Sequence, residues 1–137
     1  MQGQPGEVVR VVLVDDSEIL IETMVATLAP HPGVAVVGTA LDAAGAIDAV
    51  DAHRPDVVLL DLRLGAVWGL DLVPALRAGD HPPTIVVFSA AADDLTRDAV
   101  LQAGAQAQVS KGAPISEVVD ALCEAAARRR PGADARS

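Results

Sequence analysis

Residues 11–17 read Val-Val-Leu-Val-Asp-Asp-Ser, an apolar run that ends in two adjacent carboxylates. A second run of the same kind, Val-Val-Leu-Leu-Asp, occupies residues 57–61. Continuous apolar runs, without polar residues at alternate positions, are typical of parallel strands covered on both faces. Each run is therefore predicted to be a buried strand that carries an acidic side chain to its carboxyl end.

Outward from these two runs, the chain alternates between short apolar runs and helical stripes. Further strands are predicted at 34–37, 85–88 and 107–109, and apolar residues at i, i+3 and i+4 spacing predict a helix after every strand. Asp93 or Asp94 is predicted to cap the fourth helix. This alternation predicts a (βα)₅ fold of the α/β class, a doubly wound, flavodoxin-like three-layer sandwich with parallel strand order 2-1-3-4-5.

Length and composition fit one domain. The chain has 137 residues, of which 51% are hydrophobic, so a full core needs no metal or disulfide. We predict a domain over residues 8–128, with flexible tails at 1–7 and 129–137. The chain contains neither a signal peptide pattern nor an apolar run of about 18 residues, so we expect a cytoplasmic protein that contacts no membrane.

The charge balance argues against nucleic-acid binding. Acidic residues outnumber basic ones 19 to 10, which gives a net charge of −9, whereas a nucleic-acid-binding domain has a basic patch. Trp68 and Phe88 are the only aromatic residues, so stacking platforms are missing. A single cysteine and three separated histidines also argue against a structural zinc site.

Polar side chains that can do chemistry stand at four predicted strand ends. Asp15 and Asp16 follow the first strand, Asp61 the third, Ser89 the fourth and Lys111 the fifth. Open α/β sheets bind ligands outside the carboxyl ends of their strands, where the strand order reverses. Because strands one and three are neighbours at that point, the three carboxylates are expected to converge.

Such a cluster is stabilised by a bound cation or by protonation of a carboxylate. Two carboxylates about 4 Å apart repel by about 1 kcal/mol in water and by about 4 kcal/mol at an effective dielectric constant of 20. Oxygen ligands in a shallow, hydrated site favour Mg²⁺. With Lys111 on the opposite side, the cluster suits a phosphoryl group, which Asp61 could attack to form an aspartyl phosphate.

Five segments of the chain together resemble the receiver domain of bacterial two-component response regulators. The resemblance covers residues 8–128 and is closest to the subfamily with helix-turn-helix outputs. The segments that carry it are residues 11–17, residues 54–64, Ser89-Ala90, Gly104-Ala105 and Lys111-Gly112-Ala113.

The resemblance implies a magnesium site. Asp16 and Asp61 would bind Mg²⁺ directly, together with the backbone carbonyl of Arg63, and Asp15 would contribute through water.

It also implies a phosphorylation site. Asp61 would accept the phosphoryl group from a sensor histidine kinase or a phosphotransfer protein. Ser89 would bond a phosphoryl oxygen, Lys111 would pair with the phosphoryl group, and a conformational change would carry the signal. The domain would promote only its own phosphorylation and dephosphorylation, and we do not expect another enzymatic activity.

The chain departs from the family pattern near the expected site. Gly65 replaces the usual proline, and Trp68 replaces an acidic or small polar residue. Gln108 stands where the family has an aromatic switch residue, which puts the usual switching in doubt. Arg63 and Ala91 occupy positions that, by resemblance, tune dephosphorylation.

Several functional hypotheses remain open. A single-domain response regulator is expected, because the chain ends soon after the fifth helix; its downstream protein target is unknown, and it would be a monomer or a weak dimer. The alternatives are a phosphorylation-independent interaction domain and the receiver part of a truncated DNA-binding regulator. A phosphatase of the haloacid-dehalogenase type is disfavoured, because Arg63 stands where that family has its general acid.

Overall fold

The computed structural model describes residues 8–90 and 97–129. Some predicted features lie outside the described residues. They are Ala91, the helix cap at Asp93 or Asp94, and the two tails apart from residue 129. The backbone of residue 129 is the last part of the fifth helix.

Five parallel strands form one sheet, in which the first strand lies between the second and the third, and the fourth and fifth follow beyond the third. The predicted doubly wound α/β fold and its strand order are confirmed. The strands are β1 (Val9–Val14), β2 (Val34–Ala40), β3 (Val57–Asp61), β4 (Thr84–Ser89) and β5 (Ala107–Ser110).

A helix follows each strand of the sheet. Ser17 caps the first helix, because its Oγ accepts a hydrogen bond of 3.2 Å from the Leu20 N–H. Gly104, at a φ of +98°, lies just beyond the fourth helix, where a left-handed residue commonly ends a helix. The helices are α1 (Glu18–Leu28), α2 (Ala43–His53), α3 (Gly69–Leu76), α4 (Arg97–Gln102) and α5 (Ile115–Arg129).

The sheet is covered on both faces. Alternate strand residues such as Val58 and Leu60 pack with α2, α3 and α4, while Leu59 and Phe88 pack with α1 and α5. Every residue of β3 is buried, which explains why its sequence lacks polar alternation. Burial on both faces also holds the end of β3, and therefore Asp61, in one position.

A two-stranded antiparallel hairpin follows β3, in a stretch where the sequence pattern predicted no strand. It pairs Arg63–Leu64 with Val67–Trp68, and Gly65 takes a φ of +58° in the turn. The hairpin escaped prediction because its strands have two residues each, too few for a periodic pattern. We call residues 63–68 the site hairpin.

Among the described residues, none of the helices has the length and apolar character required to cross a membrane.

Candidate functional site

The strand register brings the acidic residues together. In the β1–β3 pair Val14 is aligned with Leu60, so Asp15 and Asp61 follow at neighbouring strand ends. Asp15, Asp16 and Asp61 each offer a carboxylate oxygen, and these oxygens lie within 4.8 Å of one another. Asp15 is 3% exposed and Asp61 is 5% exposed, whereas Asp16 is open to solvent. The expected convergence of the three carboxylates is therefore present.

Lys111 supplies the positive charge opposite these acids. Its Nζ lies 2.8 Å from Asp15 Oδ2 and 3.2 Å from Asp61 Oδ1. Its backbone N–H donates a hydrogen bond of 2.7 Å to the Ser89 carbonyl, which ties the end of β5 to the end of β4. Burial acts to lower the pKa of Lys111, but contacts with Asp15 and Asp61 outweigh it and raise that pKa above its ordinary value. The ammonium is therefore charged at neutral pH.

Asp61 is a destabilised carboxylate. Burial raises its pKa above the ordinary value for aspartate, and the charge of Asp15 adds to the rise. The Arg63 N–H, which donates to Asp61 Oδ1 at 3.2 Å, and the Lys111 ammonium oppose the rise without cancelling it. A further cation beside Asp61 would stabilise its ionised form.

Backbone N–H groups orient the other two acids. The Ser17 N–H donates to Asp15 Oδ1 at 2.9 Å, and the Gly65 N–H donates to Asp16 Oδ2 at 2.9 Å. The second bond depends on the glycine, because proline has no N–H and cannot adopt the φ of +58° found here. The replacement of proline at position 65 thus links Asp16 to the site hairpin.

The site hairpin places a cation and a ring next to Asp61. The Arg63 guanidinium lies 5.1 Å from the centre of the Trp68 ring, within the range of a cation–π contact. Trp68 is half-buried against the core and directly precedes α3. Trp68, which departs from the family pattern, therefore lies partly buried beside the acidic site.

Gly69 is a site residue that sequence reasoning missed. A Cβ at this position would lie 2.3 Å from the Asp61 carbonyl oxygen and 3.1 Å from Leu62, far inside van der Waals contact. The Gly69 N–H donates to the Leu62 carbonyl at 2.6 Å. The only sequence signal for this contact was the glycine itself, and a single glycine does not reveal which backbone comes close.

Ser89 lies at the same edge of the sheet and is 2% exposed. The side-chain amide Nε2 of Gln108 donates a hydrogen bond of 3.0 Å to Ser89 Oγ. Gln108 stands where the family has an aromatic residue, and its contact with Ser89 is visible only in the folded chain.

The residues present fit a hard divalent cation. All the candidate ligands are carboxylate oxygens, the class that Mg²⁺ prefers. Asp15 Oδ2 is buried and, within the described residues, its contact is the Lys111 ammonium rather than a hydrogen-bond donor of good geometry. With all three acids ionised, one ammonium leaves them with excess negative charge.

A doubly wound sheet with three aspartates, a serine and a lysine at its strand ends defines the class of flavodoxin-like receiver proteins. The chain belongs to the response regulator receiver domain family, whose model matches residues 11–123. The family predicted from the sequence motifs is therefore confirmed.

Known relatives include regulators and an enzyme. The chain is 34% identical over 129 residues to the transcriptional regulatory protein NarL of Mycobacterium tuberculosis. The aligned residues make up 94% of this chain and 60% of NarL. The chain is 36% identical over 111 residues to a protein-glutamate methylesterase/protein-glutamine glutaminase of Anaeromyxobacter dehalogenans, covering 80% of this chain and 30% of the relative. The chain thus spans less than two thirds of both proteins.

The fold is also similar to that of a solved receiver domain. The signal receiver domain of NarL from Mycobacterium tuberculosis is 35% identical, with a TM-score of 0.78, covering 88% of this chain and 97% of that domain. Similarity to receivers from a transcriptional regulator agrees with the predicted likeness to regulators with helix-turn-helix outputs.

Proposed function

We propose that this chain accepts a phosphoryl group on Asp61 in a Mg²⁺-dependent reaction and signals through the conformational change that follows. The donor would be a sensor histidine kinase or a phosphotransfer protein. The observation that carries the proposal is the position of the Asp61 carboxylate, buried among Asp15, Asp16 and the Lys111 ammonium. Membership of the receiver family supports the same chemistry.

The proposed reaction is an in-line displacement. An Asp61 oxygen forms a bond to phosphorus as the P–N bond of a phosphohistidine donor breaks, and the electron pair of that bond stays on the imidazole nitrogen, which takes up a proton. The product is an acyl phosphate on Asp61. The contacts of Asp61 within the described residues fall on Oδ1, so we assign Oδ2 as the attacking atom.

Mg²⁺, when bound, neutralises phosphoryl oxygens during transfer. Asp16 and Asp61 would hold it directly, together with the Arg63 carbonyl, and Asp15 would contribute through water. Receiver domains bind Mg²⁺ at an acidic pocket of this kind. The exposure of Asp16 on the solvent side of the cluster supports its place as a direct ligand, since an incoming hydrated ion meets it first.

Lys111 and Ser89 would bind the transferred group. The Lys111 ammonium contacts Asp61 Oδ1 before transfer, so it is within reach of a group attached to that carboxylate. The buried Ser89 hydroxyl can donate to a phosphoryl oxygen at a point shielded from water. Phosphorylation would therefore change the hydrogen bonds and ion pairs of two residues that lie at the ends of β4 and β5.

Incubation with acetyl phosphate and Mg²⁺, followed by intact mass measurement, tests the proposal. We expect one added phosphoryl group, no addition in Asp61→Asn, and strongly slowed addition in Asp16→Asn. Asp71→Asn, which alters an exposed acid on α3, is the matched control and should react like the unaltered protein. If acetyl phosphate and histidine kinases both leave the protein unmodified, a phosphorylation-independent interaction domain becomes the better proposal.

We further propose that the chain acts as a single-domain regulator that is monomeric or weakly dimeric. The coverage of NarL leaves the receiver part of a DNA-binding regulator as the alternative. A reading frame that continues past Ser137 into a helix-turn-helix domain would favour that alternative.

A further inference from the structure

We propose that Gln108 is a positioning residue that aims the Ser89 hydroxyl proton at the phosphoryl group on Asp61. This inference rests on the proposed function of Asp61 and assigns a role to a residue that departs from the family pattern. It starts from the hydrogen bond of 3.0 Å between Gln108 Nε2 and Ser89 Oγ.

The direction of this hydrogen bond determines whether the serine can still donate its own proton to another group. An amide NH₂ only donates, so Ser89 Oγ must accept, and a hydroxyl has a single proton to give. Accepting from Gln108 therefore leaves the Ser89 proton available for a different acceptor. Among the described residues, the recorded side-chain hydrogen bond of Ser89 is the one it accepts.

The strand register places Ser89 at the edge of the sheet that holds the acidic pocket. Asp61 is aligned with Phe88 in the β3–β4 pair, so Ser89 is the next residue at the edge where Asp61 lies. Ser89 is aligned with Ser110, and Lys111 follows, with its Nζ 3.2 Å from Asp61 Oδ1. An anionic group on Asp61 would thus be a neighbouring acceptor for the hydroxyl.

Burial makes the orientation matter. Ser89 is 2% exposed and Gln108 is half-buried, so water competes poorly for the serine hydroxyl. An aromatic hydrocarbon ring at position 108 could not donate this hydrogen bond. Gln108 can therefore bias Ser89 before phosphorylation, without the inward swing of a ring.

The variant Gln108→Glu tests the polarity, because a carboxylate of the same size can only accept and would draw the serine proton away from Asp61. Loss of one hydrogen bond worth about 1–1.4 kcal/mol corresponds to about fivefold to tenfold slower phosphorylation by acetyl phosphate. The matched control is Gln106→Glu, which adds the same charge at another half-buried position two residues away. We expect the control to react at the rate of the unaltered protein.

A double variant that combines Gln108→Glu with Ser89→Ala separates an effect on the orientation of Ser89 from a long-range effect of the added charge. We expect Gln108→Glu to cause no further slowing in the Ser89→Ala background, since no hydroxyl remains to orient. Equal slowing in both backgrounds, or no slowing in either, would overturn the proposal. If Gln108→Glu does not fold, Gln108→Leu removes the donor without a charge and must show the same dependence on Ser89.

NMR of the glutamine side-chain amides supplies a readout independent of phosphorylation. The Gln108 NH₂ signal should shift in Ser89→Ala and stay in place in Gln106→Glu; an unchanged signal in Ser89→Ala overturns the proposal. If the unaltered protein fails to gain a phosphoryl group, the proposed function itself fails and this role falls with it. Normal phosphorylation in Gln108→Glu rejects the role of Gln108 alone.

Discussion

Asp61 shows how neighbouring side chains set the reactivity of one carboxylate. Burial and the charge of Asp15 disfavour its ionised form, while Lys111 and a backbone N–H favour it. The balance leaves the pKa of Asp61 raised, so the folded, metal-free protein carries an electrostatic strain at this position. A cation or a phosphoryl group held by cations relieves that strain.

This strain predicts that Asp61→Asn stabilises the metal-free protein at pH 7. Because the folded-state pKa of Asp61 lies above its unfolded value, its ionisation costs stability above the folded pKa, and the cost disappears as the pH falls below about 4, the ordinary value. Thermal unfolding in EDTA at several pH values should therefore show a higher midpoint for the variant at pH 7 and a converging midpoint near pH 3.

Added Mg²⁺ should reduce or reverse the advantage of Asp61→Asn, since the variant has lost a carboxylate ligand. A lower midpoint for Asp61→Asn at pH 7 in EDTA would contradict the electrostatic account. Asp71→Asn, at an exposed position, controls for the general effect of removing one negative charge.

The site hairpin and the start of α3 show how short elements hold the site together. Backbone hydrogen bonds join the hairpin to Asp16 and Asp61, and the close approach of Gly69 to the Asp61 carbonyl packs α3 against the end of β3. These contacts connect the acids, the hairpin and α3 directly.

Gly69→Ala is expected to destabilise the protein by at least about 1–3 kcal/mol, the usual cost of overpacking, since backbone rather than a flexible side chain blocks the new Cβ. The measurement is urea unfolding. Gly79→Ala is the matched control, because its Cβ would meet nothing within 4 Å and its φ is not positive. Equal stability of the two variants would show that the contact at Gly69 can relax freely.

Trp68 should report cation binding. It is the only tryptophan, and it stacks on Arg63 in the hairpin whose Gly65 N–H bonds Asp16. We expect a saturable change in its fluorescence on titration with Mg²⁺ at constant ionic strength. In Asp16→Asn, loss of about 1.4 kcal/mol of binding free energy would raise the half-saturation concentration about tenfold. A flat titration of the unaltered protein would contradict the proposed coupling.

The molecule as a whole is a sheet with helices on both faces, and its buried hydrophobic residues, among those described, run from Val9 to Ala126. The last helix contributes Leu122, which is fully buried, and the Ala125 carbonyl accepts a hydrogen bond of 3.0 Å from Thr84 Oγ1. Ala126 is the last buried hydrophobic residue among those described, and the boundary at 128 stays a prediction.

Truncation tests this boundary. A chain of residues 8–128 should unfold in one transition at the midpoint of the full chain, because it keeps all of these core contacts. A chain of residues 8–121 loses Leu122, and burial of one leucine alone is worth about 2–5 kcal/mol, so its midpoint should fall sharply. Thermal unfolding of both chains decides the point, and a lowered midpoint for residues 8–128 would place the domain boundary elsewhere.

The fold and the five polar site residues were predictable because each has a local signal. Val11–Val14 and Val57–Leu60 are apolar runs long enough to read, and in a parallel sheet their carboxyl ends meet at one edge, which brings Asp15, Asp16 and Asp61 together. The residue pattern and the order of the strands along the chain were sufficient to predict the fold and the edge of the sheet at which these residues lie.

The contacts that adjust the site depend instead on distances between segments that are remote in sequence. The Gly65 N–H reaches Asp16 across 49 residues, and Gln108 reaches Ser89 across 19. No periodicity encodes such pairs, because one side-chain rotamer or one turn dihedral decides whether two groups meet. Local patterning thus established which residues gather at the sheet edge, and three-dimensional packing established which atoms bond there.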